Sequence, residues 1–375
     1  MHGNNKKVLY TASVVKTHIM QFHVPVLKLL KEFGFTTYVA AKNDYDNLSE
    51  CLIPYCDHFI NIDFARSPFS LKNIKALKEL KELINKEHFD IIHCHTPTVS
   101  ILTRIASRNA RKKGSKVIYT AHGFHFYEGA PLLNWFYYPI EKHFSKDADI
   151  IAVVNEGDYK IASEKFHCKK IIKIPGMGID CNKYLLNDKD LKNKMREEFD
   201  IPKDAFVLIS VGELQEIKNH RLVIEALNRI KNSNIYYLIA GQGRLYNEYT
   251  DLINSYNLKD YVKLLGYRND IPQLLNMSDV IVHPSTREGL GLAAIEGMAA
   301  GLPLISSAIH GMKDYVENNK TGITINPYNV DEMVSAINKI YVDKKLRSDA
   351  SMYNKEKAKE FDIKNAINTI RKLYE

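Results

Sequence analysis

Cysteine is scarce and unpaired. Cys51, Cys56, Cys94, Cys168 and Cys181 are five in 375 residues, an odd number without C-x-x-C spacing, so buried free thiols are expected rather than a disulfide framework. Long apolar runs are missing too: none approaches the roughly 18 to 20 residues that cross a bilayer, and Met1 to Lys7 lacks the apolar core of a leader. A cytoplasmic protein is the expectation. Repeats and low-complexity segments are lacking, and 45% hydrophobic residues suffice for two ordinary cores.

Acidic charge is short only in the first half. Residues 1–180 hold 25 Lys and Arg against 18 Asp and Glu, and the remainder 27 against 26, so most of the formal +8 lies early in the chain. Basic charge with aromatics suits an anionic membrane surface or simple solubility; without an RNA-binding or helix-turn-helix signature, no nucleic-acid partner is expected. His93-Cys94-His95 places at most His93 and His95 on one face of a strand, and no metal site is read there.

Short β-branched strands alternate with amphipathic helices from Val8–Ala12 through Thr36–Ala41, His58–Ile62, Asp90–Cys94, Lys116–Ala121 and Ile150–Val154. Helices are predicted at about 71–86, 98–111 and 132–144. The rhythm breaks at Pro175–Asp180, a polar run 187–198 follows, and it restarts at Phe206–Val211, with further strands at 236–240, 262–265 and 280–282. This predicts an α/β protein of two doubly wound, Rossmann-like domains facing a cleft: 1–180, 181–360, and a last helix within 361–375.

The stretch His283 to Pro303 reads as strand end, glycine turn and helix. Gly289 and Gly291 leave amides uncovered before a helix starting near Leu292, an anion site. Glu288 and Glu296, eight positions apart, would repel a phosphate, so hydroxyls are their natural partners. A ligand with phosphate and polyol groups uses both, and sugar nucleotides fit.

This segment resembles the E-x7-E signature of family 4 glycosyltransferases, which have the GT-B fold and transfer sugars from nucleotide donors with retention. The resemblance covers nearly the whole chain and extends to bacterial capsule and exopolysaccharide enzymes; it implies that the first domain serves the acceptor and the second the nucleotide sugar, and that the last helix, within 361–375, packs back on the first domain. It implies that Glu288 meets donor-sugar hydroxyls, Glu296 the ribose, and the backbone of Gly289, Leu290, Gly291 and Leu292 the sugar and diphosphate. Lys218 matches the family's diphosphate lysine and His122, in Thr120 to Phe126, its active-site histidine. Gly212, Gly241, Gly243 and Arg268 fall in donor-binding segments, the last in a base-recognition loop where uracil is the expected base. Where the family places arginine after the glycine, this chain has Glu213; either another cation such as Arg221, Arg244 or Arg66 substitutes, or the donor phosphates sit differently. Thr11 to His23 takes the place of the family's glycine-rich loop yet has no glycine, leaving Thr17, His18 and His23, with His125, as acceptor-side candidates.

The implied reaction is retaining, metal-independent transfer of a hexosyl or N-acetylhexosaminyl group from a UDP-sugar to a saccharide hydroxyl. The acceptor is an oligosaccharide or a saccharide linked to polyprenyl diphosphate, in bacterial surface polysaccharide synthesis. No cofactor is implied. The segment 129–144 crowds Trp135 and tyrosines among basic residues, which suits either a buried helix or a peripheral seat on the inner face of the plasma membrane. Two other readings stand beside this one, a UDP-sugar epimerase and a catalytically inactive sugar-nucleotide-binding subunit, the latter motivated by Glu213.

Overall fold

The computed structural model describes residues 6–186 and 188–375; Met1 to Asn5 of the leader reading and Asn187 of the polar run lie outside the described residues. The chain divides into two compact units, one running to Gly178 and taking in Lys364–Glu375, the other Ile179–Ile363. The division falls at 178/179 and 363/364 rather than at 180/181 and 360/361. Ile179 pairs with Asp362 in a short parallel bridge, its N–H donating to Phe361 O at 3.0 Å while Ile363 N–H donates back at 2.8 Å.

Among the described residues the first unit has seven parallel strands: β1 (Lys7–Val14), β2 (Thr36–Lys42), β3 (His58–Asn61), β4 (Ile91–His95), β5 (Lys116–Ala121), β6 (Ile150–Val153) and β7 (Lys170–Lys173). Their order is β3-β2-β1-β4-β5-β6-β7. The second unit has β8 (Phe206–Val211), β9 (Ile235–Ala240), β10 (Val262–Gly266), β11 (Val280–His283), β12 (Leu304–Ser307) and β13 (Gly322–Ile325), again parallel, in the order β10-β9-β8-β11-β12-β13. Both are doubly wound sheets in which the order reverses once, at β1/β4 and at β8/β11.

Burial explains the composition of the central strands. Val207, Leu208 and Ile209 of β8 and Val280, Ile281 and Val282 of β11 are sealed by helices on both faces, which is why they are apolar on every residue instead of alternating. Each such side chain contributes about 1.5–3 kcal/mol. Gly297 packs the helix Leu292–Ala299 onto this layer, since a Cβ there would sit 2.4 Å from Ile281 Cδ1.

Several helices depart from their predicted spans. The helix predicted over 98–111 is two pieces, Pro97–Ala106 and Arg108–Lys112, parted at Ser107, whose hydroxyl donates to Thr103 O at 2.7 Å. The one over 132–144 opens as a tight 3₁₀ turn, Leu132–Phe136, before the helix Tyr137–Ser145. No side chain of that turn is buried; Leu132 is 90% and Leu133 84% exposed. The helix behind it is anchored by Glu141, which accepts from the buried Arg104 at 2.8 Å. The polar run 187–198 contributes a helix, Lys189–Glu198, capped by Asp188. Among the described residues no helix is long and apolar enough to cross a membrane.

Candidate functional site

In the second unit, the loops leaving the carboxyl ends of β8 and β11 diverge at the sheet's reversal, where doubly wound folds take their ligands. After β8 the chain makes a tight turn, Glu216–Lys218, and passes through left-handed Asn219 (φ 56°) into the helix His220–Ile230. Asn219 Nδ2 donates to Pro284 O at 3.2 Å and Pro327 O at 2.7 Å, and Thr286 N–H donates to Ile217 O at 2.9 Å. The two loops are thereby stitched together, and Lys218 and Glu288 meet. Lys218 Nζ donates to Glu288 Oε2 at 2.7 Å, and His283 Nε2 lies 3.0 Å from the same oxygen. Burial alone would raise the Glu288 pKa, but the Lys218 ammonium and His283 outweigh it and hold the carboxyl well below its usual range. Glu288 is therefore an anion at neutral pH.

Three residues further on, Gly291 turns the chain at φ 82°, and a Cβ there would come within 2.8 Å of Tyr315 Oη. That hydroxyl donates to Leu290 O at 2.7 Å, fixing the turn. The helix Leu292–Ala299 starts from Gly291 with no side-chain cap, so its first amides and partial positive charge face outward from the turn. Glu296, one turn inside, is half-buried and hydrogen-bonded by the Tyr184 phenol; burial pushes its pKa up to about 7. The two carboxylates of one motif thus have opposite environments.

Other predicted residues are engaged differently. At Gly241 and Gly243 the missing side chains make room for protein: a Cβ would sit 1.9 Å from Gly212 O and 2.6 Å from Leu214 O respectively. Gly212 N–H donates to Ala240 O at 3.0 Å, so these three glycines let the two loops touch. Arg268 forms a fork with Asp270 at 2.8 and 2.6 Å, its guanidinium over Phe199. Arg244 pairs with Glu216 and Arg221 with Glu248, while Glu213 accepts from Gln215.

In the first unit the corresponding reversal, at β1/β4, gathers histidines. His18 and His23 follow β1, His95 ends β4 and His122 follows β5. His23 Nε2 is 3.1 Å from His18 Nε2, Tyr10 Oη 2.7 Å from His23 Nδ1, and His95 Nδ1 3.2 Å from His122 Nε2. Burial, reinforced for His18 by His122 and Arg66, lowers the His18 pKa to about 3, and burial lowers that of His122 to about 4, so both rings are neutral at pH 7. His93 is not shared with His95: its nitrogens meet Tyr374 Oη at 2.5 Å and Thr120 Oγ1 at 2.8 Å. Thr17 is exposed and tied to Asp44, and the His125 ring lies tilted against Tyr137, centroids 4.6 Å apart. Sequence reasoning missed His283, Tyr184, Tyr315 and Tyr10; of these only His283 left a signal, as the polar end of an apolar strand.

Asp-x-Asp spacing, a common carrier of divalent metals, occurs at Asp44/Asp46, Asp147/Asp149 and Asp188/Asp190. Asp44 accepts from Lys16 and Thr17 amides, Asp147 and Asp149 pair with Arg108 and Arg111, and Asp188 caps a helix. Each has structural work.

Residues 7–155 match the family model described as glycosyl transferase 4-like, and residues 192–357 match glycosyl transferases group 1. The chain is 35% identical over 324 residues to the putative glycosyltransferase EpsD of Bacillus subtilis (strain 168), covering 85% of this chain and 83% of that protein. It is 33% identical over 318 residues to the UDP-Gal:alpha-D-GlcNAc-diphosphoundecaprenol alpha-1,3-galactosyltransferase of Escherichia coli, covering 81% and 80%. Among solved structures, Anabaena Alr3699/HepE in complex with UDP and glucose superposes with a TM-score of 0.81 at 20% identity, covering 99% of both chains, a likeness of fold. With both halves matched and relatives of this identity along most of its length, the chain belongs to the family 4 glycosyltransferases and has their GT-B class of fold.

Proposed function

We propose that this glycosyltransferase moves a hexosyl or N-acetylhexosaminyl group from a UDP-sugar to a hydroxyl of a polyprenyl-diphosphate-linked saccharide, with retention, in bacterial surface polysaccharide synthesis. The observation that carries the donor half is the contact of Lys218 with Glu288 beside the uncapped helix at Gly291. An ammonium has three protons, and one bond to Glu288 leaves two for diphosphate oxygens. Glu288, kept ionised, accepts from sugar hydroxyls; Glu296 accepts from the ribose. The amides of Leu292 and its neighbour add positive potential where the diphosphate leaves.

In the reaction the bond between the anomeric carbon and the diphosphate oxygen breaks, and the acceptor oxygen bonds to that carbon on the same face. The acceptor proton passes to the departing phosphate. No metal or cofactor is needed in this scheme. His122, neutral at pH 7, hydrogen-bonds a sugar hydroxyl instead of neutralising phosphate. The lipid-linked acceptor is supported by the diphosphoundecaprenol-linked substrate in the name of the Escherichia coli relative and by the bare Leu132–Phe136 turn, whose exposed Leu132, Leu133 and Phe136 stand ahead of Lys142 and Lys146. That combination fits a peripheral seat on an anionic membrane.

The test is release of UDP from a panel of UDP-sugars, with and without membrane extract containing lipid-linked acceptors, for the native protein and Glu288→Gln. Release that needs extract, prefers one sugar and falls in the variant is expected. Isomerised sugar without acceptor would make it an epimerase. Donor binding without turnover, once acceptor is supplied, would instead favour the inactive-subunit reading that Glu213 motivates.

A further inference from the structure

We infer that His95 is a positioning residue for sugar transfer: its Nδ1–H donates to His122 Nε2, so that His122 carries its own proton on Nδ1 and offers the donor sugar an N–H rather than a lone pair. The inference rests on the role proposed for His122 and adds which of its atoms performs it.

Strands β4 and β5 are neighbours, with His95 in register with Thr120, two residues before His122. His95 Nδ1 lies 3.2 Å from His122 Nε2, and the ring centroids are 5.4 Å apart with their planes at 27°. A nitrogen contact that short fits that separation only when both nitrogens lie near the line joining the rings. The hydrogen bond therefore runs edge to edge, along the lone pair of the accepting nitrogen. His95 is wholly buried, and its ring is enclosed by those of Tyr10, His23 and His93, centroids 4.4, 4.4 and 4.2 Å away. A side chain packed on that many sides keeps one orientation and imposes it on its partner.

Where the protons sit follows from the far side of His95. Burial, reinforced for His95 by the neighbouring imidazoles, keeps both rings neutral at pH 7, so each has one N–H and one bare nitrogen. If His122 Nε2–H were the donor, His95 would hold its proton on Nε2, which is buried without a hydrogen-bond partner. Orphaned buried N–H groups are rare in folded proteins. With the proton on His95 Nδ1 instead, the bond to His122 is made and no N–H is stranded. A neutral imidazole that accepts at Nε2 has its hydrogen on Nδ1, and the half-buried His122 ring directs that N–H to a sugar oxygen.

The full chain, labelled with ¹⁵N in histidine and held at neutral pH without substrate, would be read by long-range proton–nitrogen correlation spectra, the signals lost in His122→Gln and His95→Asn identifying the two rings. Expected is the Nδ1–H tautomer for both; the Nε2–H tautomer of His122 would overturn the assignment. In UDP release, His95→Leu should lower kcat/KM by up to about a hundredfold, the order that a slight misplacement of a reacting group costs. His95→Asn, whose side-chain NH₂ stands where Nδ1–H stood, should recover most of that loss. Equal rates in the native chain and His95→Leu, or equal losses in the two folded variants, would also overturn it, and should either variant lose its circular dichroism spectrum the native tautomer decides alone. The spectra need neither donor, acceptor nor turnover, so this inference and the sugar-transfer reading fail separately.

Discussion

Lys218 Nζ lies 2.7 Å from Glu288 Oε2, although 70 positions separate the two in the chain. The pair spans the reversal of the second sheet, and neither side chain is more than a quarter exposed. Removing one partner strands the other's charge, so the expected losses are asymmetric between conservative and drastic variants. Lys218→Ala should lower kcat by about 10²–10³-fold through loss of the cation at the leaving diphosphate, and Glu288→Gln should lower kcat/KM while leaving Lys218 in place. Initial rates of UDP release, alongside far-ultraviolet circular dichroism, check both.

Glu296 makes the second unit sensitive to pH in a defined window. Its folded pKa is raised to about 7 from an ordinary carboxyl value of 4.5, so the folded state holds a proton that the unfolded chain has lost. The associated stability is fully present below about pH 4.5 and is lost as pH rises through 7, on the order of 3 kcal/mol in all. Urea denaturation at pH 5 and pH 8 should show a difference for the native chain that shrinks in Glu296→Gln.

Gly241→Ala tests whether the glycines after β9 are there for packing. A Cβ 1.9 Å from Gly212 O forces the loops after β8 and β9 apart, at about 3 kcal/mol or more. The urea midpoint should fall correspondingly, with the proposed donor site disturbed because Lys218 is carried by the displaced loop.

Leu132→Asp with Leu133→Asp should leave the melting temperature unchanged, both side chains being almost wholly exposed. Vesicles containing anionic lipid should nonetheless bind the double variant at least tenfold more weakly, since each leucine buried in the interface is worth about 1.5–3 kcal/mol. Co-sedimentation measures it.

The doubly wound architecture was legible because parallel strands buried on both faces are written as short apolar runs such as Phe206–Val211. Strand β7, Lys-Ile-Ile-Lys at a sheet edge, escaped notice since its ends are solvated lysines. The helix Glu156–Lys165 buries only Asp158 and Ala162 and so has no apolar stripe to read. Glu288, Glu296 and Lys218 entered the proposed donor site from spacing and family likeness. That Glu288 would be held ionised and Glu296 driven toward neutrality was not legible, because Lys218 and Tyr184 arrive from elsewhere in the chain and His283 meets Glu288 only once the loop after β11 has folded. The histidines show the same limit: His93 and His95 are neighbours on one strand, yet it is His18, His23 and His122 that converge, from the segments following β1 and β5.

Tyr374, on the helix Ile363–Tyr374, reaches its hydroxyl to His93 Nδ1 in the middle of the first sheet. The first unit is thus begun early in synthesis and completed late. While a ribosome makes Ile179–Ile363, the sheet that has already emerged lacks the helix that covers it, and Ala366, Ile370 and Leu373 have yet to bury their side chains. Nascent chains therefore pass through a stage in which every residue of the second unit has been made while the first still lacks its last helix.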